Sequence, residues 1–295
     1  MFFLRLIAGA LAFGAISAWG LLVAIASRDR PGAAVRYAAA VARWVAPLLG
    51  LRVRVTDGER LTAYRPCIFI CNHQSLLDVP VLAHAFRAGS VVIAKKEIIS
   101  IPLFGWLYDA TGQIRIDRGD TQQAVGRLRE AEEAIRARRV GVWIFPEGTR
   151  GTVPGEMLPF KKGAFMMAVH TGAPMVPVVV SPLMPASDIR RRRLGRNEVE
   201  VRVLEPVPTD GLTDADLPAL MREARRRMAA ALAEMSVARG IAPPPEGAAA
   251  LAEDQRGALP RSSSSTQPSS TMIGGRSPES GGGSPRPESG GGSGS

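Results

Sequence analysis

Residues 6–27 form a run of 22 positions without a charge, long enough as a helix to cross a hydrocarbon core of about 30 Å. A cleavable signal is the competing reading, with Arg5 in front and Ala24-Ile25-Ala26 as a cleavage site. Its apolar part would exceed the usual ~7 to 15 residues. A second apolar stretch, 37–51, is interrupted by Arg43. It predicts a helix in the membrane interface, Trp44 near headgroup level and Val41, Val45, Leu48 and Leu49 toward lipid, or a helix packed on the first within the membrane. Beyond Leu51 the pattern alternates. Short apolar runs predict strands at 51–55, 67–71, 91–94, 113–116, 142–145, 176–180 and 198–204. In the last, Val199, Val201 and Val203 alternate with charged residues, which predicts an edge strand with one wet face. Between the runs, Ala124, Leu128, Ala131 and Ile135 share one face of a helix over 121–138. A Thr-x-x-Asp start at Thr213 opens a helix to Arg239, with an apolar stripe at Leu217, Leu220, Ala224, Met228 and Met235 and a stop at Gly240. Strands alternating with helices predict a three-layer α/β fold, with a mixed, largely parallel sheet flanked by helices and an N-terminal membrane helix ahead of it. The expected domains are 1–50, membrane-spanning and interfacial helices; 51–241, the folded domain; and 242–295, a disordered low-complexity tail rich in Pro, Gly and Ser.

Charge narrows the partners. The chain carries a net +10, and its tail holds four arginines against five acids, so the positive excess belongs to the folded part. Such a balance suits nucleic acid or an anionic membrane. The runs 190–193 and 225–227 contain no aromatic residue for base stacking, which argues for a membrane surface over nucleic acid. Cys67 and Cys71 lie about 13 Å apart along one strand, too far to bridge, and are expected as reduced, buried thiols. With only these two cysteines and three histidines, a structural metal site is not expected. His84 and His170 read as ordinary surface or half-buried residues.

The candidate chemistry begins at Asn72-His73-Gln74-Ser75-Leu76-Leu77-Asp78, directly after the strand 67–71. On a continuous helix a spacing of five sets side chains about 140° apart, whereas across a strand-to-helix turn His73 and Asp78 can meet. An aspartate holding one imidazole nitrogen fixes the tautomer and leaves the other nitrogen free to take a proton from a hydroxyl. A surface histidine beside a helix-capping aspartate would give the same heptapeptide. Two further blocks close strands with charge: Gly112-Gln113-Ile114-Arg115-Ile116-Asp117-Arg118, and Phe145-Pro146-Glu147-Gly148-Thr149-Arg150. Against 33 arginines the chain has four lysines, Lys95, Lys96, Lys161 and Lys162, all within or between these blocks. They are either retained for a specific role or solvated loop charges.

With the strand 176–180, these blocks resemble the four motifs of the glycerolipid acyltransferases, most closely the bacterial 1-acylglycerol-3-phosphate acyltransferases, over residues 51–207. The resemblance implies transfer of an acyl chain from a thioester, acyl-CoA or acyl carrier protein, to the free hydroxyl of a lysophospholipid. His73 would be the base and Asp78 its orienter. Arg118, Glu147, Gly148, Thr149 and Arg150 would bind the acceptor, and Lys96 falls in a family segment ahead of Pro102-Leu103-Phe104-Gly105. Arginines there could grip a phosphate through two parallel hydrogen bonds, or merely pair with Asp117 and Glu147. A thioester is already activated, so neither an enzyme nucleophile nor a cofactor or metal is implied. Gly151 stands where many relatives have serine. Other lysolipids, such as a lyso-ornithine lipid, remain alternative acceptors, as does an inactive lipid binder that keeps the fold. Arg28, Arg30 and Arg36 outnumber Arg5 across the first apolar run, which points to the inner membrane with the catalytic part on the cytoplasmic side.

Overall fold

A computed structural model of the protein describes residues 1–95, 101–116, 121–151, 153–184 and 186–242. Lys96, Asp117, Arg118 and the tail from 243 lie outside the described residues. The strands are β1 (Leu51–Thr56), β2 (Cys67–Cys71), β3 (Ser90–Lys95), β4 (Ile114–Ile116), β5 (Gly141–Ile144), β6 (Met175–Val180), β7 (Ser187–Asp188), β8 (Arg193–Leu194) and β9 (Asn197–Val203). Seven of them form one sheet in the order β1-β9-β6-β2-β5-β3-β4, and β7 and β8 form a separate hairpin. Every pairing in the large sheet is parallel except β6 with β9. The mixed, largely parallel sheet expected from the sequence is therefore the one observed. Its centre is where continuous apolar runs belong, and β2, β5 and β6 are buried along their whole length.

Alternation along β2 divides the core in two. Ile68 and Ile70 face a layer that contains Ala131 and Ile135 of α7 (Thr121–Arg138), Phe165 and Met167 of α8 (Gly163–Thr171), and Leu220, Met228 and Met235 of α9 (Leu217–Val237). Cys67, Phe69 and Cys71 face the other layer. That layer contains Val41, Val45 and Leu49 from the N-terminal helices, Leu61 of α4 (Arg60–Ala63) and Val81 of α5 (Asp78–Leu82). The predicted stripe of the last helix is buried at Leu217, Leu220, Ala224, Met228 and Met235, and Thr213 forms a reciprocal capping box with Asp216 ahead of it.

Two expectations change. β9 alternates as predicted, with its valines buried, but it lies between β1 and β6 rather than at an edge. Its wet face is occupied by paired charges: Glu200 lies 3.3 Å from Arg54 of β1, across the strands, and 3.0 Å from Arg202 along β9 itself. Alternation reports one solvated face and carries no information about an open edge. The segment expected at 37–51 begins earlier, as α2 (Arg30–Ala40), whose first turn is capped by Asp29 accepting from Gly32 N–H at 2.9 Å. It continues through a π-turn (Val41–Val45) into α3 (Ala46–Leu48). Val41, Val45 and Leu49, expected toward lipid, are buried against the sheet, while Trp44 and Leu48 are exposed. The spacing marks one apolar face, and the sheet claims it.

The first apolar run forms α1 (Phe2–Ala26). Small residues line its inner side, Gly9, Ser17, Gly20 and Ala24. A side-chain carbon at Gly9 would come within 2.5 Å of Leu49, and one at Gly20 within 2.9 Å of Tyr37. Ser17 Oγ lies 3.2 Å from the Tyr37 hydroxyl, and Arg5 donates to the Leu194 carbonyl at 3.0 Å. The helix therefore lies along the domain through most of its length. Phe3, Leu4, Ile7, Leu11, Leu22 and Ile25 remain exposed on its outer side.

Candidate active site

Because the strands from β6 to β4 run parallel, their C-terminal ends share one edge of the sheet, where such folds place ligands. His73 follows the end of β2, and the Phe145–Arg150 turn follows the end of adjacent β5. Asp78 is the first residue of α5. The turn between them brings His73 Nδ1 to 2.6 Å from Asp78 Oδ2. The same oxygen accepts from the Gln74 and Ser75 backbone N–H groups at 2.8 and 3.0 Å. Asp78 is completely buried, while the His73 side chain keeps 18% exposure, so the carboxylate faces protein and the imidazole faces the cavity. With its Nδ1 proton directed at the carboxylate, the ring presents Nε2 as an acceptor. The ring also stacks on Phe145, centroids 4.0 Å apart and planes 18° from parallel.

Glu147 does something the sequence did not suggest. It is 3% exposed and is not among the residues that line the cavity, so its carboxylate is turned into the protein. Its Oε1 accepts from the His73 backbone N–H and its Oε2 from the Leu158 backbone N–H, each at 2.8 Å. Both oxygens thus hold the frame of the histidine loop, so Glu147 does not pair with Arg150. Burial pushes its carboxyl up to about 7; the two amide bonds and the Arg225 charge oppose that rise, and the Asp78 charge adds to it. The motif turn needs Gly148 at φ +73°, a left-handed conformation that other residues resist.

Gly148, Thr149 and Arg150 line the cavity together with His73 and Ser75. Arg150 is exposed and has no acidic partner among the described residues. Behind this polar end the cavity, about 570 Å³ in volume, is walled by apolar groups that include Val41, Leu82, Phe86, Leu107 and Trp143. Leu107 belongs to α6 (Phe104–Ala110). At one wall the Tyr108 hydroxyl bonds the Ile114 carbonyl and Gln113 Oε1 accepts from Val92 N–H, closing the gap between β3 and β4. Cys71 also lines the cavity, yet its thiol is pushed well up by burial, then by the Asp78 and Glu147 charges. The neutral thiol is the favoured form there. Cys67 is a second free, buried thiol, raised to about 12 mainly by burial.

Two residues inside the blocks, Asn72 and Phe145, had no role read from the sequence. Asn72 bonds both the N–H and the carbonyl of Val180, at 2.8 and 3.0 Å, and so ties the end of β2 to β6. Phe145 read as the end of a core strand and the start of its charged block, with no role of its own. Lys161 and Lys162 are exposed; His84 is half-buried and His170 exposed, as expected of ordinary residues.

The acyltransferase family model matches residues 52–181. Human 1-acyl-sn-glycerol-3-phosphate acyltransferase beta is 39% identical over 179 residues, 61% of this chain and 64% of that protein. The Escherichia coli 1-acyl-sn-glycerol-3-phosphate acyltransferase is 35% identical over 191 residues, covering 65% of this chain and 77% of the bacterial one. The chain belongs to the glycerolipid acyltransferase family. Its fold matches the crystal structure of the 1-acyl-sn-glycerophosphate acyltransferase from Thermotoga maritima at a TM-score of 0.63 and 27% identity, over 80% of this chain and 98% of that one. Alignment with the human protein and with the Saccharomyces cerevisiae relative spans less than two thirds of either, 64% in each case.

Proposed function

We propose that this acyltransferase moves an acyl chain from acyl-CoA or acyl carrier protein to the free sn-2 hydroxyl of 1-acylglycerol-3-phosphate, giving phosphatidic acid. The observation that carries the reading is the 2.6 Å pair of His73 and buried Asp78 at the polar end of an apolar cavity. The relatives' names favour this acceptor. His73 Nε2 takes the hydroxyl proton as the oxygen attacks the thioester carbonyl. Asp78 steadies the resulting imidazolium. The tetrahedral adduct collapses, the carbon–sulfur bond breaks, and the imidazolium returns its proton to the departing thiolate. The acyl chain occupies the apolar part of the cavity, and Arg150 binds the acceptor phosphate with Thr149 beside it. Lys96 and Arg118 keep their proposed acceptor roles by motif position.

The protein acts at the inner membrane, on the cytoplasmic side where both thioester donors occur. The contacts of α1 favour a helix lying in one leaflet over one that crosses. Arg5 at one end reaches Leu194, and Gly20 near the other end lies against Tyr37, so a crossing helix would draw the whole domain into the hydrocarbon. Exposed Leu76, Val79, Ile101 and Trp106 near the cavity suit contact with lipid. The test supplies purified protein with acyl-CoA and a mixture of lysolipids and reads the products by mass spectrometry. Phosphatidic acid as main product supports the reading. A different diacyl lipid as main product removes Arg150 from phosphate binding, and no diacyl product at all rejects acyl transfer.

A further inference from the structure

Beside the start of α1 the β7–β8 hairpin presents Arg190, Arg191, Arg192, Arg193 and Arg196, all exposed. Its one carboxylate, Asp188, is largely buried; its Oδ1 accepts from the Arg190 and Arg191 N–H groups at 2.9 and 3.2 Å. Among the described residues only the Arg191 guanidinium approaches it, at 3.6 Å. Five guanidinium groups therefore crowd a short hairpin with little internal compensation. The hairpin is fastened to the apolar helix. Arg5 of α1 donates to Leu194 at 3.0 Å, and the Arg192 guanidinium lies over the exposed Phe3 ring at 5.8 Å. Phe3, Leu4, Ile7 and Leu11 continue the apolar surface away from the arginines.

We propose that this hairpin binds the phosphates of anionic phospholipids, forming the charged border of the surface whose apolar part is the outer face of α1. The inference rests on the membrane reading above and adds a lipid preference to it. Apolar side chains bordered by guanidinium groups match the acyl and phosphate layers of one leaflet. The juxtaposition of Arg192 with Phe3 puts both kinds of group at a single boundary. An acidic carrier protein would also satisfy the charge, but it would give the adjoining Phe3, Leu4 and Ile7 no apolar layer to enter.

Flotation of the full-length protein with vesicles tests this, using pure phosphatidylcholine against phosphatidylcholine with about one third phosphatidylglycerol, at low and high salt. Each arginine near an anionic surface is worth about fivefold in partitioning. The wild type is expected to favour the anionic vesicles by at least about tenfold, with the preference shrinking at high salt. The variant R190Q/R191Q/R192Q/R193Q is expected to lose that preference, to bind neutral vesicles as before, and to keep its acyl-transfer rate in detergent micelles. Equal wild-type binding to both vesicles overturns the proposal without needing any variant. So does a folded variant that keeps its lipid preference, including one that instead loses activity only with a carrier-protein donor. Failure of acyl transfer in every lysolipid assay, alongside intact anionic selectivity, would reject the enzymatic reading and leave this surface standing.

Discussion

Replacing Asp78 by asparagine isolates the charge that the mechanism requires. Oδ2 of Asp78 accepts from His73 Nδ1, Gln74 N–H and Ser75 N–H, and an amide oxygen in its place can retain all three. Oδ1 is buried with no hydrogen-bond partner, so the new amide nitrogen would lie there unsatisfied. That costs about 1 to 3 kcal/mol of stability, enough to lower the melting temperature without abolishing the fold. The catalytic loss is separate. With the charge centres of imidazolium and carboxylate about 4 Å apart and an effective dielectric near 20, their attraction is about 4 kcal/mol. Losing it from the transition state lowers kcat about 10³-fold. The assay is steady-state turnover with donor and acceptor saturating, beside a thermal melt of the same preparation. D78N combined with H73A should be little slower than H73A alone, because the carboxylate acts only through the imidazole. A folded D78N protein that retains more than a tenth of wild-type kcat refutes this reasoning.

Four other outcomes follow from the geometry. Glu147 titrates near 7 in the folded protein against an ordinary 4.5, so the folded state holds its proton more tightly. Its contribution is greatest below about 4.5 and is lost as pH rises toward about 7, a decline of about 3 kcal/mol; melting temperatures measured from pH 4.5 to 7.5 should fall less steeply for E147Q, and parallel curves would contradict the assignment. Arg150→Ala removes a charged hydrogen bond worth about 1.5 to 3 kcal/mol, raising the KM for lysophosphatidic acid about tenfold to a hundredfold. An unchanged KM would exclude Arg150 from acceptor binding. Phe145→Ala deletes the stack beneath His73, worth about 0.5 to 1.5 kcal/mol, and should lower kcat/KM up to about tenfold; an unaltered value would leave the stack without catalytic effect. A cysteine at Phe3 in the C67S/C71S background should react with a membrane-impermeant maleimide only from the side that holds the folded domain, since α1 lies along the domain. Labelling from the opposite side alone would restore a crossing helix.

Much of the fold was legible because burial in this chain leaves simple marks. A five-residue apolar run such as Cys67–Cys71 is too short for a core helix and fits a strand covered on both faces, and the His73–Asp78 spacing lets the two side chains meet across a turn. What escaped depended on contacts between distant segments. Asn72 bonds a backbone 108 positions away, and no local pattern reports such a partner. Val41, Val45 and Leu49 share a face by spacing, but spacing does not distinguish a sheet from lipid. Glu147 sits in a charged turn that reads as facing substrate. It turns inward because the His73 and Leu158 amides need acceptors more than the solvent needs a carboxylate. The position of β9 within the sheet followed from its pairing partners, which its own alternation could not name.

The central claim is that His73 is the base, and the most direct measurement is single-turnover acyl transfer to lysophosphatidic acid by wild type and H73A at equal folded concentration. Loss of the general base predicts a rate at least about a hundredfold lower with an unchanged melting profile. A folded H73A protein that forms phosphatidic acid at a rate close to the wild type's would contradict the account.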